Sequence, residues 1–439
     1  MSAVEGLGMK VRGNLLGSGC HKGRMQKAVF SIAVISALAA LAAPTGAVAS
    51  KPANGSGFKM GVYLNSSAHP SNLQMSRMVA DWANHGVTQV AVISYVYIQL
   101  APQGLNTQAK RWGIDLYISN CWPAPLTPMD EVERDTRATI ALVNSYVDSD
   151  AVKGWYAGDE VEFLDPTKLP GIETYERDYV SLLRRLDPKR RVAVNHTDDL
   201  GKWNGRFMKL GEDVSWCSVF WANHFAEARL NKVLAAYRAA YGPGKALTAV
   251  FGAQSLSRAI QEKQQLSLYG LEGLTLEQAQ KSVMRADIAD YILTAHRLGF
   301  AGASLFVYDG YYDATWYSLV DERGRSREGR MEGIRDAMEQ IRKSEGCPSL
   351  KLDVKFPEIQ VTTFANRAPV RKTTVEVSYD SGHTWRPVSG FGAAGGRAEL
   401  KPPVSWMRSE WTMVRARCYD GRRHSLWSVW NCFPWREPT

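Results

Sequence analysis

The chain is poor in the features that would announce a metal, a nucleotide or a membrane. Its six cysteines form no Cys-x-x-Cys pair and its eight histidines include no His-x-x-x-His spacing, which argues against a structural zinc site. No Gly-x-Gly-x-x-Gly follows the first strand-like segment, so a dinucleotide site is not expected. Charge of one sign is also scarce. The formal +9 is inflated by residues 1–49, where Lys10, Arg12, Lys22, Arg24 and Lys27 face only Glu5, and the remainder carries 48 basic against 43 acidic residues. So small a surplus over a large protein implies no nucleic-acid partner. With 45% hydrophobic and 22% charged residues the composition is that of a folded globular protein, long enough for one large domain and a small one.

The amino terminus has the form of a secretory signal. Met25-Gln26-Lys27 is a short basic start, Ala28 to Ala43 an uncharged run, and Ala47-Val48-Ala49 a small-residue cleavage site before Ser50. The run falls short of the roughly 20 residues a membrane span needs. Residues 1–49 are therefore expected to act as signal and leader, and the mature protein to be secreted or periplasmic, with no membrane span. Cys20 would leave with the leader. Of the five that remain, Cys418 and Cys432 lie in neighbouring segments and are the expected disulfide in an oxidising compartment.

After a linker at 50–57, strand-like and helix-like segments alternate through residues 58–345. The strands are Phe58 to Leu64, Thr88 to Tyr95, Ile114 to Ser119, Lys153 to Gly158, Arg191 to Asn195, Val214 to Phe220, Ala246 to Phe251 and Ala303 to Val307. Between them run apolar stripes at helical spacing, such as Met75, Met78, Val79 and Trp82, or Thr136, Ile140, Val143 and Val147. A capping box, Thr275-Leu276-Glu277-Gln278, opens another helix. Eight such units over roughly 290 residues predict an α/β fold, a TIM (β/α)8 barrel. From 346 to 439 the pattern becomes short alternating strands, which predicts a small all-β sandwich of immunoglobulin or fibronectin type. Within it, Ser378-Tyr379-Asp380-Ser381-Gly382-His383-Thr384-Trp385 resembles an Asp-box hairpin, read here as structural.

Lys153-Gly154-Trp155-Tyr156-Ala157-Gly158-Asp159-Glu160-Val161-Glu162 is the centre of the chain: a buried strand that stops at three carboxylates. In a parallel barrel the reactive groups stand where the strands end. Strict alternation would turn Tyr156, Gly158 and Glu160 to the axis and Trp155 and Ala157 to the helices. The other strand ends add Asn195 and His196, Trp221, Asn223 and His224, Gln254, and Tyr308 and Asp309, with Trp316 beyond. Aromatic faces with amides and acids are what a sugar ring needs, flat apolar surface and fixed hydroxyl partners. Tyr156, Trp221, Tyr308 and Trp316 would border subsites; Asp159, Asn195, His196, Asn223 and His224 would hold hydroxyls. Glycoside hydrolysis requires one protonated acid and a second carboxylate. Glu160 is the candidate acid, because burial and the neighbouring Asp159 would raise its pKa.

The run Gly154 to Glu160, with Asn195-His196 one strand on and Asn223-His224 two strands on, resembles the barrel of glycoside hydrolases related to clan A. That resemblance implies an acid/base glutamate at the end of strand four, here Glu160 after Asp159 in place of the clan's asparagine, and a nucleophilic glutamate at the end of strand seven. Gln254 stands nearest that second position, and an amide is no nucleophile. Asp309 supplies the second carboxylate, or Glu162 does, or the barrel binds carbohydrate without cutting it. No cofactor is implied.

Overall fold

The computed structural model describes residues 57–65, 72–119, 125–198, 200–219, 226–253, 276–308, 318–321, 324–327, 329–355, 357–400 and 412–430, with side chains of the helix at 276–298 from Arg285 on. Eight parallel strands close into a barrel in sequence order: β1 (Lys59–Leu64), β2 (Gln89–Val92), β3 (Asp115–Ser119), β4 (Val152–Gly158), β5 (Arg191–Thr197), β6 (Val214–Ser218), β7 (Leu247–Gly252) and β8 (Gly302–Phe306). The predicted barrel is the observed one.

Two layers follow from the alternation of side chains along each strand. Tyr63, Ala91, Tyr117, Tyr156, Ala193, Trp216, Val250 and Val307 fill the inside, so the barrel is packed and has no pore. Gly154 sits there because a Cβ would lie 2.4 Å from the Tyr117 ring. Outward-facing Val62, Val90, Leu116, Trp155, Val192 and Leu305 pack against the helices.

Among the described residues the surrounding α-helices are α1 (Asn72–Asn84), α2 (Ser94–Leu100), α3 (Leu105–Trp112), α4 (Met129–Ser145), α5 (Ile172–Leu186), α6 (Ala226–Tyr241), α7 (Leu276–Leu298) and α8 (Arg330–Glu345). Met75, Met78, Val79 and Trp82 of α1 are buried as their spacing predicts. Two details differ. Strand β2 ends at Val92 and α2 takes over, so Tyr95 and Tyr97 belong to a helix. Helix α4 ends at Ser145, which leaves Val147 79% exposed instead of inward.

The β5–β6 connection carries no α-helix among the described residues, only a 3-10 turn at Gly201–Trp203. Trp203, Phe207, Met208 and Leu210 are buried there and cover the barrel in place of a helix.

The carboxy-terminal strands form two antiparallel sheets. One orders β13 (Phe391–Gly392), β14 (Gly395–Glu399), β10 (Glu358–Phe364) and β9 (Ser349–Lys355); the other orders β12 (Arg386–Pro387), β11 (Lys372–Ser378), β15 (Met413–Tyr419) and β16 (Ser428–Trp430). Ile359, Val361, Val375, Val377, Leu400, Val414 and Ala416 make the core between them. Cys418 on β15 is a free buried thiol, its Sγ 3.5 Å from the Ser349 carbonyl, rather than half of the expected disulfide; Cys432 lies outside the described residues. Burial pushes the Cys418 thiol pKa up, which favours the neutral thiol.

The Asp-box hairpin clamps the sandwich to the barrel. Asp380 closes the turn by accepting from Thr384 N at 2.8 Å and Thr384 Oγ1 at 2.6 Å. Its carbonyls then face the barrel, where Arg111 of α3 donates to Gly382 O at 2.9 Å and His383 O at 2.6 Å. Beside it the Arg415 guanidinium lies 4.5, 4.3 and 4.7 Å from the ring centres of Trp112, Trp385 and Trp427, and donates to Glu376 at 2.7 Å. Cation–π contact in a desolvated site is worth about 2 kcal/mol. Trp112→Ala should therefore cost about 3–5 kcal/mol in urea denaturation, whereas Val147→Ala should stay within about 0.5 kcal/mol; similar losses for the two would remove the clamp from the fold's stability.

Candidate active site

The site is made by an irregularity in β4. Tyr156 pairs with Ala193 of β5 but Gly158 pairs with Val194, so one extra residue of β4 is accommodated there. Strict alternation fails at this step. Gly158 faces the helices instead of the axis: a Cβ on it would lie 2.6 Å from Val161 Cγ1 and 3.9 Å from Glu176 Oε2 of α5. The glycine makes room for Val161, and not, as alternation implies, for a substrate.

Asp159 takes the axial place that Gly158 vacates. Its Oδ1 accepts from Tyr156 OH at 2.5 Å and from Asn195 Nδ2 at 2.7 Å. The residue as a whole is open to solvent, while its carboxyl is closed in by Tyr156 and Asn195. That crowding raises its pKa, and the Tyr156 and Asn195 donors hold it back.

Glu160 then turns through the left-handed region, φ 50° and ψ 45°, an uncommon conformation for a residue with a side chain. The turn carries its carboxyl toward the end of β6, where Ser218 is a hydrogen-bond partner. The other donor hydrogen of Asn195 Nδ2 meets Ser218 Oγ at 2.8 Å. One amide thus holds Asp159 directly and Glu160 through a serine. Glu160 Oε1 is buried without a partner among the described residues. Burial above all, then the charges of Asp159 and Asp198, raise the Glu160 pKa to about 7 against the Ser218 bond.

Aromatic rings form the floor. Tyr63 and Tyr156 bring their hydroxyls to 3.4 Å, and Tyr63 meets Tyr156, Trp216 and Phe306 edge-on with centres 5.7–5.9 Å apart. From Glu160 a cavity of about 890 Å3 opens between the 197–205 segment and α6, with Phe163, 46% exposed, on its rim. That volume is within the range of small-ligand sites. A cleft of about 950 Å3 between α7, α8 and the sandwich includes none of the strand ends, and its Arg285–Asp336 and Arg335–Glu339 pairs are satisfied.

Three of the sequence-predicted residues are elsewhere. Glu162 is fully buried on the outside of the barrel: Oε1 accepts from His196 Nδ1 at 2.7 Å and Met208 N at 3.0 Å, Oε2 from Thr197 N at 3.0 Å. It pins the helix-free β5–β6 connection and has no oxygen left for a substrate. His196, next to inward Asn195, necessarily points outward and is caught between Glu162 and Glu212, 3.5 Å from its Nε2. Tyr308 is also turned out of the barrel, its OH donating to Asp81 of α1 at 2.9 Å. Asp309, Trp221, Asn223, His224, Gln254 and Trp316 lie outside the described residues. Ser218 escaped the sequence reading although alternation from inward Trp216 points to it; Arg229, whose partner is Asp198, and Glu212 gave no signal.

No protein-family model and no curated protein matches the chain. Among solved structures it is similar to the endo-β-1,4-mannanase of Thermotoga petrophila, at 12% identity and TM-score 0.44 over 86% of this chain and 98% of that one. It is similar also to β-glucuronidase 2 of Bacteroides uniformis (11%, 0.47, 85% and 45%) and to β-D-mannosidase of Dictyoglomus thermophilum (10%, 0.46, 87% and 51%). The chain spans about half the length of the latter two.

The buried Glu162–His196–Glu212 triad predicts a pH profile of stability. Burial disfavours the imidazolium, but the two carboxylates outweigh it and raise His196 to about 10. Burial likewise disfavours ionised Glu212, which His196 and Ser215 outweigh, lowering it to about 2. Folded His196 keeps its proton longer than the unfolded residue, so that stability is present below pH 6.5 and fades toward 10; the Glu212 part is present above 4.5 and fades toward 2. Denaturation midpoints should be highest between those limits. Glu212→Gln should be less stable and flatten both limbs, and an unchanged profile would contradict the triad.

Proposed function

We propose that the chain is a glycoside hydrolase, with Glu160 the general acid. The observation that carries this reading is a carboxyl at the open end of a barrel strand, aimed into a cavity, with one oxygen unpartnered among the described residues and a pKa of about 7. A proton donor to a glycosidic oxygen needs these properties: it titrates near neutrality and keeps one oxygen without a partner. Asp159 beneath it supplies negative charge that favours the protonated neighbour and an oxygen for a sugar hydroxyl. Asn195 and Ser218 fix both carboxyls.

The second carboxylate is assigned to Asp309, directly after Tyr308. In a ring of eight strands β8 stands opposite β4; Asp309 itself lies outside the described residues. An acid and a base on opposite sides of a sugar suit inversion, with water between them. Residues 1–49, with their basic start and uncharged run, support export of the enzyme to a poly- or oligosaccharide outside the cytoplasm. No described helix is long and apolar enough to cross a membrane.

Glu160→Gln keeps the shape and removes the proton. Turnover of glycans, read as released reducing ends, should fall roughly 10^2–10^4-fold while affinity for the same glycans persists. A wild-type protein that binds glycans and releases nothing is instead a binding module on a hydrolase-like barrel, the reading that Gln254 in the nucleophile's place favours.

The pH profile gives an independent check. A required acid makes kcat/KM fall as pH rises through about 7. Asp159→Asn can still accept from Tyr156 and Asn195 but removes the charge that props up Glu160, so the alkaline limb should move to lower pH. A limb that stays in place would dissociate it from Glu160.

A further inference from the structure

We infer that the cavity beside Glu160 takes an acidic glycan, one bearing a carboxylate or sulfate group that meets Lys232 and Arg229 of α6. This rests on the hydrolase reading above and names the substrate class for the same site.

The wall of the cavity opposite the 197–205 segment is one face of α6. Arg229, Lys232, Val233 and Ala236 fall on it at i, i+3, i+4 and i+7. A helix laid on a barrel ordinarily turns an apolar face inward, as Leu230, Val233, Leu234 and Tyr237 do. Arg229 and exposed Lys232 flank that face where it borders the cavity.

Helix stability does not account for them. They are the fourth and seventh residues of α6, in its first two turns, and the macrodipole disfavours cations at that end. Pairing within the protein accounts for only one. Arg229 is bound to Asp198, whose side chain is nearly buried. Glu227, the acid in the first turn, is taken by Arg297 of α7 through two bonds of 2.8 and 2.9 Å. Lys232 is exposed, lines the cavity and has no ion-pair partner among the described residues.

The cavity is therefore polarised. Glu160 stands at one end, and on the α6 wall stands Lys232, a cation with no ion-pair partner among the described residues. Asp198, the acid that would otherwise repel an anion there, is neutralised by Arg229. A neutral sugar would leave the Lys232 charge unused; an anionic substituent on the ring next to the scissile bond would complete it.

The test uses the mature Glu160→Gln chain, which holds substrate without turning it over. Retention is measured on matched neutral and acidic glycans: cellulose and oxidised cellulose, galactan and polygalacturonate, dextran and dextran sulfate. Acidic members should be retained over their neutral counterparts, with binding weakened by salt. Carboxylated and sulfated arms separate the two sources of charge. Adding Lys232→Gln, an exposed substitution, should weaken acidic-glycan binding roughly ten-fold and leave neutral binding unchanged.

Equal retention of neutral members, no effect of Lys232→Gln, or no retention of any acidic member overturns the inference. Acidic binding that depends on Lys232, without turnover by the wild type, would sink the hydrolase and keep the anion site. Turnover confined to neutral glycans would do the reverse.

Discussion

One extra residue in β4 decides what the mouth of the barrel presents. Without it, Tyr156, Gly158 and Glu160 would line the axis and Asp159 would face the helices, where a carboxylate without a partner is costly to bury. With it, Asp159 comes inward to two donors and Glu160 is turned sideways into a positive-φ conformation toward β6. The glycine before them is required by Val161. That strand irregularity, the strained backbone and the polar network are one construction: the backbone strain at Glu160 persists because the packing of Val161 below and the Asn195–Ser218 relay above leave no relaxed alternative.

The same segment secures its own support. Two residues after Glu160, Glu162 leaves the mouth and accepts three hydrogen bonds from β5 and the connection after it. A helix in that connection would have covered β5 and β6 with apolar side chains; here a buried ion triad and the Phe207, Tyr237 and Tyr241 rings around His196 do so. The absence of the helix leaves the space beside α6 open, and the cavity that Glu160 faces occupies it. The helix-free connection is thus held by Glu162, and the cavity beside it is faced by Glu160 two residues earlier.

The barrel was legible because each strand and most helices carry their own periodic signal, strong at Met75–Trp82 and at the apolar strand cores. The position of Glu160 at a strand end was legible for the same reason. What the period of two cannot reveal is a single-residue change of phase: nothing in Tyr156-Ala157-Gly158-Asp159 marks a bulge, and so Asp159 and Gly158 exchange the places alternation assigns them. The roles of Glu162 and His196 were misjudged because a titratable residue near a strand end reads alike whether it faces the axis or the helix layer. His196 could have been placed, since it follows Asn195 by one. Tyr308 shows that a strand-end aromatic can serve a buried aspartate on α1 as readily as a sugar. Ion pairs across the fold, such as Asp198 with Arg229, have no local signature at all.

The electrostatics of the mouth follow from which acids are satisfied. Asp198 has Arg229, and Asp159 has Tyr156 and Asn195. Glu160 has one serine hydroxyl, itself polarised by the Asn195 amide. Burial and the charges of Asp159 and Asp198 raise the Glu160 pKa to about 7, and its single serine donor only partly opposes them. A network that supplied Glu160 with a cation would lower its pKa. Lys232, a cation without an ion-pair partner among the described residues, stands instead on the α6 wall, where it gives the cavity a positive side and makes no pair with Glu160.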